Sequence, residues 1–293
     1  MSIENEVVSI VIVSHNHKGF IRQCLESVFS QTYKNIDVTL IDNASVDGTL
    51  DEINILSKSF SFKVIYNKVN VGLPATLNMA LDIVDGKYLV LLSADDYIVY
   101  DRVEKQVDFL SKNIGFYACS GSQIKVNSKG DNLPIKEQKN FINEFSIIDE
   151  KNIAKTGNRI FSPTTMYRLN ELRKLGGYID DILIEDLYVF YKAASVGMRM
   201  ALLPRVFSYY RIHDGNSHSK YMWMHKNKLK ILELHKESSF YLELQKLIYL
   251  EGFYSLSRNY KIESLKIFPK IFFCINSKYF YGGLFRLLLD WRR

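Results

Sequence analysis

Apolar residues fall into short β-branched runs and longer spaced stripes that alternate along the first hundred positions. VVSIVIVS, Val7 to Ser14, is nearly continuous in apolar character, the pattern of a strand buried on both faces of a parallel sheet. GFIRQCLESVFSQ follows, with Ile21, Cys24, Leu25 and Val28 at helical spacing. DVTLID, Asp37 to Asp42, predicts a second strand, FKVIYN a third and KYLVLL a fourth. Ser45 or Asp47 in the turn-rich NASVDGT is placed to cap a helix, and PATLNMALDIV predicts a helix with Pro74 in its first turn. This alternation predicts an α/β fold, a mostly parallel Rossmann-like sheet with helices on both faces.

Past Asp96 the pattern loosens. RVEKQVDFLSKN predicts a helix, and FYACSG and QIKV predict two strands. Residues 127 to 158 are polar and weakly periodic. LIEDLYVFYKAASVG has the stripe of an amphipathic helix, and RMALLP and VFSYYRIH read as two further strands. From Lys220 onward, helical patterns mix lysine and arginine with Leu, Ile, Phe and Tyr.

The predicted strands share a property at their ends: Ser14-His15-Asn16, Asp42-Asn43, Asn67 to Asn70 and Ser93 to Asp96 are all polar. Ligands of such sheets bind beyond the carboxyl ends of the strands. In LLSADDYI, Asp95 and Asp96 follow an apolar run, where carboxylates suit a hard divalent cation or simply open a turn. A second acid pair, Glu185-Asp186, opens the LYVFYKAAS helix. Acids there complement the helix dipole by about 0.3–1 kcal/mol each, or one of them serves as a general base.

Composition narrows the class. A chain of 293 residues with 47% hydrophobic content has ample material for a core. A net charge of +6 is too modest to imply nucleic acid. Cys24, Cys119 and Cys274 lie far apart and form no CxxC pair, which argues against a zinc site or a disulfide framework. The N-terminus lacks the basic region of a secretory signal and no apolar run is long enough for a membrane span, so a cytoplasmic protein is expected.

Taken in order, VSIVIVSHNHKGFIRQCLESVFSQTYKNIDVTLIDNASVDGT, NVGLPATLN, GKYLVLLSADD and LGGYIDDILIEDLYVFYKA closely resemble the family 2 inverting glycosyltransferases of bacterial surface-polysaccharide type. The resemblance spans roughly the first 215 residues and implies the GT-A nucleotide-sugar-binding fold. It implies a catalytic domain over 1–218, with a nucleotide-sugar half at about 1–100 and an acceptor half at about 101–218. A helical extension over 219–293 completes the chain.

The same resemblance assigns roles. Val13, His15 and Asp42 surround the nucleobase and ribose, and Asn70 and Gly72 shape the neighbouring turn. The metal motif of the family, Asp-x-Asp, reads Ser93-Ala94-Asp95 here, so its first acid is a serine. Asp95 is then the principal ligand of Mn²⁺ or Mg²⁺, with Asp96 and His213 as further candidates, and Ser93 and Ala94 lie against the donor. Arg211 is expected to pair with phosphate, in a segment, Tyr209 to Ser219, that closes over the sugar diphosphate. Leu77 stands where many members carry an arginine, and Ser162-Pro163-Thr164 is expected along the acceptor cleft. Asp186 is implied as the base and Glu185 as its acceptor-positioning neighbour.

The function so implied is a metal-dependent, inverting hexosyltransferase. It moves a hexose or N-acetylhexosamine from a nucleotide sugar, expected to be UDP-linked, to a hydroxyl of a lipid-linked glycan. Two rivals are a non-catalytic nucleotide-sugar-binding assembly protein, suggested by Ser93, and a sugar nucleotidyltransferase, which would want a glycine-rich basic loop that SHNHKGF does not supply. The basic, aromatic tail suits peripheral contact with the inner face of the cell membrane, or packing on the core or on a second subunit.

Overall fold

The computed structural model describes residues 6–138, 141–156, 160–213, 220–272 and 274–289. Strands β1 (Val8–Ser14), β2 (Ile36–Asp42), β3 (Lys63–Tyr66) and β4 (Tyr88–Ser93) pair in parallel in the order β3-β2-β1-β4. Helices α1 (Ile21–Phe29), α2 (Thr49–Leu56) and α3 (Leu73–Ile83) connect them. The four side chains at helical spacing on α1, Ile21, Cys24, Leu25 and Val28, are its buried stripe.

Even a strand buried on both sides sorts its residues by period two. Val8, Ile10 and Ile12 enter one apolar cluster, shared with α1, while Val11 enters the other, beneath α3. Leu77 belongs to that second cluster and is 5% exposed, so it packs rather than meets phosphate.

The second half of the sheet is mixed. Short β5 (Tyr97–Ile98) precedes helix α4 (Arg102–Lys112) and β6 (Ala118–Val126). β7 (Ser146–Ile148) and α5 (Ile153–Thr156) lie in the weakly periodic stretch, and β8 (Met166–Arg168) leads into α6 (Leu169–Lys174). After α7 (Glu185–Ser195), β9 (Met200–Arg211) completes a nine-stranded sheet. β8 inserts antiparallel between β4 and β6, and β9 runs parallel to β6 while pairing antiparallel with β5 and β7. Mostly parallel strands flanked by helices were expected, and they are what is found.

Two breaks predicted between strands are bulges within one strand. FYACSG and QIKV form the single β6, and RMALLP and VFSYYRIH form the single β9. The register jumps from Ser120↔Leu202 to Ser122↔Val206, so exposed Pro204 sits in the bulge, where its missing N–H costs no ladder bond. Gly121 faces it: a Cβ there would lie 2.5 Å from the Phe207 ring and 2.6 Å from the Arg205 carbonyl.

Helices α8 (Tyr221–Leu234), α9 (Tyr241–Leu256), α10 (Lys261–Ile267) and α11 (Lys278–Leu289) form the C-terminal part. Ile231, Leu232, Leu244 and Ile248 of α8 and α9 join the cluster under α7, whereas α9, α10 and α11 also build a small core of their own around Phe253. The expected boundary at 218/219 lies outside the described residues.

Candidate active site

Register puts the carboxyl ends of the first strands at one level, with Ser14 opposite Asp42 and Val13 opposite Ser93. The loops beyond them are laced together by polar side chains. Asn16, in the left-handed region at φ 58°, donates its backbone N–H to Ser45 Oγ at 2.8 Å and accepts the Val46 N–H on Oδ1 at 2.8 Å. Asn43 Oδ1 accepts from Asn67 Nδ2 and from the Val71 N–H, while its Nδ2 donates to Asn70 Oδ1 at 2.8 Å. Asn70 Oδ1 also accepts the Gly72 N–H at 2.9 Å, and Gly72 takes φ 83°, a conformation that favours glycine. Asn70 and Gly72 thus shape the turn that opens α3.

Val13 and His15 are half-buried along this edge. Asp42 is placed differently from expectation. It is 1% exposed, with Oδ1 accepting the Ser45 N–H at 2.9 Å and Oδ2 the Ser45 hydroxyl at 2.6 Å, so it braces the floor of the edge from within.

At the corner after β4, Ser93 is exposed and Ala94 is fully buried, its N–H donated to the Val13 carbonyl. Asp95 Oδ2 lies 3.0 Å from His213 Nε2 and 4.0 Å from His17 Nε2. Its Oδ1 is buried with no hydrogen-bond partner among the described residues. Burial acts to raise the Asp95 carboxyl, but the His213 hydrogen bond, the His17 charge and Ser93 together hold it below the usual range. Burial lowers the His17 imidazole more than neighbouring Asp95 raises it. Asp95 is therefore an ionised carboxylate with one oxygen still to be satisfied.

Two expected ligands turn away from this corner. Asp96 is 2% exposed, and its Oδ1 accepts the Arg211 N–H at 2.9 Å, so it ties β9 to the corner rather than facing a cation. Burial, then the Asp95 charge, push its carboxyl well above the ordinary range. Arg211 is likewise 2% exposed. Its guanidinium donates to the carbonyls of Asp95 at 2.8 Å and Ser128 at 3.0 Å and to Gln23 Oε1, and lies 4.8 Å from the Phe20 ring. It braces the corner with donors engaged within the protein; residues 214–219 of its segment lie outside the described residues.

These residues fit a divalent cation in one specific sense. Among the described residues no group of three or more His, Cys, Asp and Glu is arranged to hold an ion by itself. The unsatisfied Asp95 Oδ1 and the two imidazoles beside Oδ2 suit a cation that takes most of its oxygens from a diphosphate and water, the usual habit of Mg²⁺.

The second acid station is the head of α7. Glu185 and Asp186 are half-buried, and Asp186 Oδ1 accepts the Leu187 N–H at 2.7 Å. Burial, then the Asp186 charge, push Glu185 up to about 8; burial also raises Asp186, against the Leu187 N–H and the Lys228 charge. Asp186, Lys228 and Glu251 line an otherwise apolar cavity of about 180 Å³ between α7 and the C-terminal helices, with Lys228 and Glu251 paired at 2.7 Å. The Tyr210 phenol on β9, raised first by burial, is raised further by Asp96, Asp95 and Asp186, so one side chain feels both acid stations. Ser162–Thr164, a 3-10 turn, packs on α4, where the buried Arg102 and Gln106 donate to the Pro163 and Thr164 carbonyls.

The raised Glu185 carboxyl has a thermodynamic consequence. Its folded-state pKa of about 8 lies above the ordinary 4.5, so its contribution to stability is complete below pH 4.5 and is lost as pH rises through about 8. Thermal denaturation from pH 5 to 9 is expected to show the wild-type midpoint falling relative to Glu185→Gln; parallel curves would contradict the assignment.

Residues 9–174 match the model of Glycosyl transferase family 2. The chain belongs to glycosyltransferase family 2. The UDP-Glc:alpha-D-GlcNAc-diphosphoundecaprenol beta-1,3-glucosyltransferase WfaP of Escherichia coli is 31% identical over 216 residues, covering 72% of this chain and 79% of its own. Of solved structures, S. aureus TarS 1-349 in complex with UDP-GlcNAc superposes with a TM-score of 0.68 at 19% identity, covering 90% of this chain and 78% of its own. The mannosyltransferase PcManGT from Pyrobaculum calidifontis, in complex with GDP-Man and Mn²⁺, gives 0.65 at 15% identity, covering 97% and 88%. Those two likenesses bear on the fold.

Sequence reasoning assigned no role to two residues of this glycosyltransferase's sheet edge, His17 and Asn43. The signal for His17 was the His-Asn-His spacing, since alternate residues leaving an extended strand face the same way. Asn43 showed in the sequence only as a polar strand end, because its role depends on Asn67, Asn70 and Val71 folding over it.

Proposed function

We propose that this glycosyltransferase moves a hexose or N-acetylhexosamine, with inversion, from a UDP-linked donor to a hydroxyl of a lipid-linked glycan, in the assembly of a bacterial surface polysaccharide. The observation that carries the reading is the pair of acid stations, Asp95 at the sheet edge with its Oδ1 unsatisfied and Asp186 at the head of α7 lining a cavity with Lys228. The name of WfaP supports a UDP-sugar donor and a diphospholipid acceptor, and the UDP-GlcNAc complex of TarS supports the same class of donor.

The nucleoside lies against Val13 and His15, over a floor stiffened by Asp42–Ser45, with Asn70 and Gly72 setting the adjoining turn. Asp186 takes the proton of the acceptor hydroxyl as that oxygen attacks the anomeric carbon. The bond to the departing UDP breaks on the opposite face, which inverts the configuration. The Leu187 N–H and the nearby Lys228 charge favour the ionised form that Asp186 needs, while a protonated Glu185 can donate a hydrogen bond to the acceptor. Asp95 and His213 would hold Mn²⁺ or Mg²⁺, which supplies charge neutralisation to the diphosphate when bound. The enzyme acts on the cytoplasmic side, where its acceptor lies in the inner face of the membrane.

Purified protein with Mn²⁺, screened by thermal shift against UDP-, GDP- and dTDP-sugars, is expected to respond to one or more UDP-sugars. The responding donor should then be consumed on addition of an N-acetylglucosamine-diphospholipid. No stabilisation by any UDP-sugar would overturn the donor assignment; stabilisation without turnover would make the chain a binding protein.

A further inference from the structure

Helix α11 has two apolar faces. Phe280, Gly283 and Leu287 are buried, Gly283 lying so close to Phe253 of α9 that a Cβ would strike the ring. On the opposite face Tyr281 and Phe285 are each 62% exposed and Leu289 is 67% exposed, a stripe that begins with exposed Lys278. An ordinary surface helix would carry polar residues there. The pattern extends to neighbouring elements: Ile262 and Leu265 on α10 are 71% and 54% exposed, and Ile275 in the turn before α11 is 52% exposed. The Lys261 ammonium donates to the Leu287 carbonyl at 3.1 Å, which binds the start of α10 to the end of α11.

Charge decides what covers this face. Residues 258–293 contain eight Lys and Arg against two Asp and Glu, a net +6 that equals the formal charge of the whole chain; the first 257 residues balance to zero. A second copy docking through the same face would oppose two such concentrations of positive charge. An anionic bilayer satisfies both halves of the pattern, with apolar side chains at the headgroup–acyl boundary and lysines among the phosphates. Among the described residues no helix is long and apolar enough to cross a membrane, so contact here is with the surface.

We infer that the outer face of α10 and α11 docks on an anionic lipid surface, with Tyr281, Phe285 and Leu289 entering the headgroup layer and Lys278 on the lipid phosphates. The inference deepens the reading of a lipid-linked acceptor and takes its biological sense from it. Its test contains no sugar nucleotide and no glycan, so the two can fail separately.

The full chain is floated with vesicles of phosphatidylglycerol and phosphatidylcholine in equal parts, and with phosphatidylcholine alone. Binding to the anionic vesicles is expected to be at least about tenfold stronger and to weaken in high salt. Phe285→Ser with Leu289→Ser, and separately Lys278→Glu, are each expected to lower partition by about tenfold or more with the thermal midpoint unchanged. Equal binding to neutral and anionic vesicles, unaltered binding by the serine pair, or a dimer in solution that the serine pair dissolves would each overturn the proposal.

Discussion

Asp186→Asn is expected to lower kcat for sugar transfer by about 10²- to 10⁴-fold, the span attributed to a positioned general base. Donor affinity should hardly change. The substitution keeps shape and removes one charge from a place where burial already disfavours it, so the fold should survive. The Leu187 N–H keeps an acceptor in the amide oxygen of the new side chain. Single-turnover transfer, read beside UDP-sugar binding by calorimetry, separates the two effects; normal turnover in the variant would remove Asp186 from the mechanism. Because the Asp186 charge raises the neighbouring Glu185 carboxyl, the pH profile of kcat belongs to the pair rather than to either residue.

Asp95→Asn should act on the other side of the reaction. In the wild-type protein, Mn²⁺ is expected to tighten UDP binding, because Asp95 offers an ionised carboxylate whose Oδ1 lacks a protein partner. The amide keeps the hydrogen-bonding shape of the corner and loses the charge. UDP affinity measured with and without MnCl₂ should therefore lose most of its metal dependence, by about tenfold or more, with metal-free affinity nearly unchanged. An undiminished Mn²⁺ effect in the variant would place the cation elsewhere. Ser93, exposed beside it, leaves the corner with one acid fewer than the usual motif, so the remaining carboxylate should dominate the response.

The first half of the sheet was legible because its rules are local. β1, β2 and β4 are apolar runs ending in polar residues, and the four side chains picked from the stripe of α1 are its buried ones. The second half obeys tertiary rules. β5 has two residues and β7 three, too few for a periodic signal, and Gly121 and Pro204 look like strand ends until the facing strand shows them opposed across a bulge.

Side-chain direction at the site was the least legible property. Asp95 and Asp96 are adjacent and chemically identical, yet the first faces the imidazoles of His17 and His213 and the second faces the backbone of Arg211. Arg211 looks like a phosphate ligand in any one-dimensional reading. Only the convergence of Asp95, Ser128 and Gln23 on its guanidinium shows that its donors are engaged within the protein.

The insertion of β8 between β4 and β6 bears on how the chain comes off the ribosome. Met166, Tyr167 and Arg168 must be synthesised before they can pair with Tyr88, Leu89 and Val90, nearly eighty residues earlier. Until then β4 is an open edge of apolar residues, the kind of surface that recruits wrong partners. The lock is doubled by Asn78 on α3, which gives and takes a hydrogen bond with the Tyr178 backbone at 2.9 and 2.8 Å. The two halves of the sheet therefore reach native structure together, and a nascent chain cut near residue 100 is a candidate for chaperones rather than a free-standing folded module.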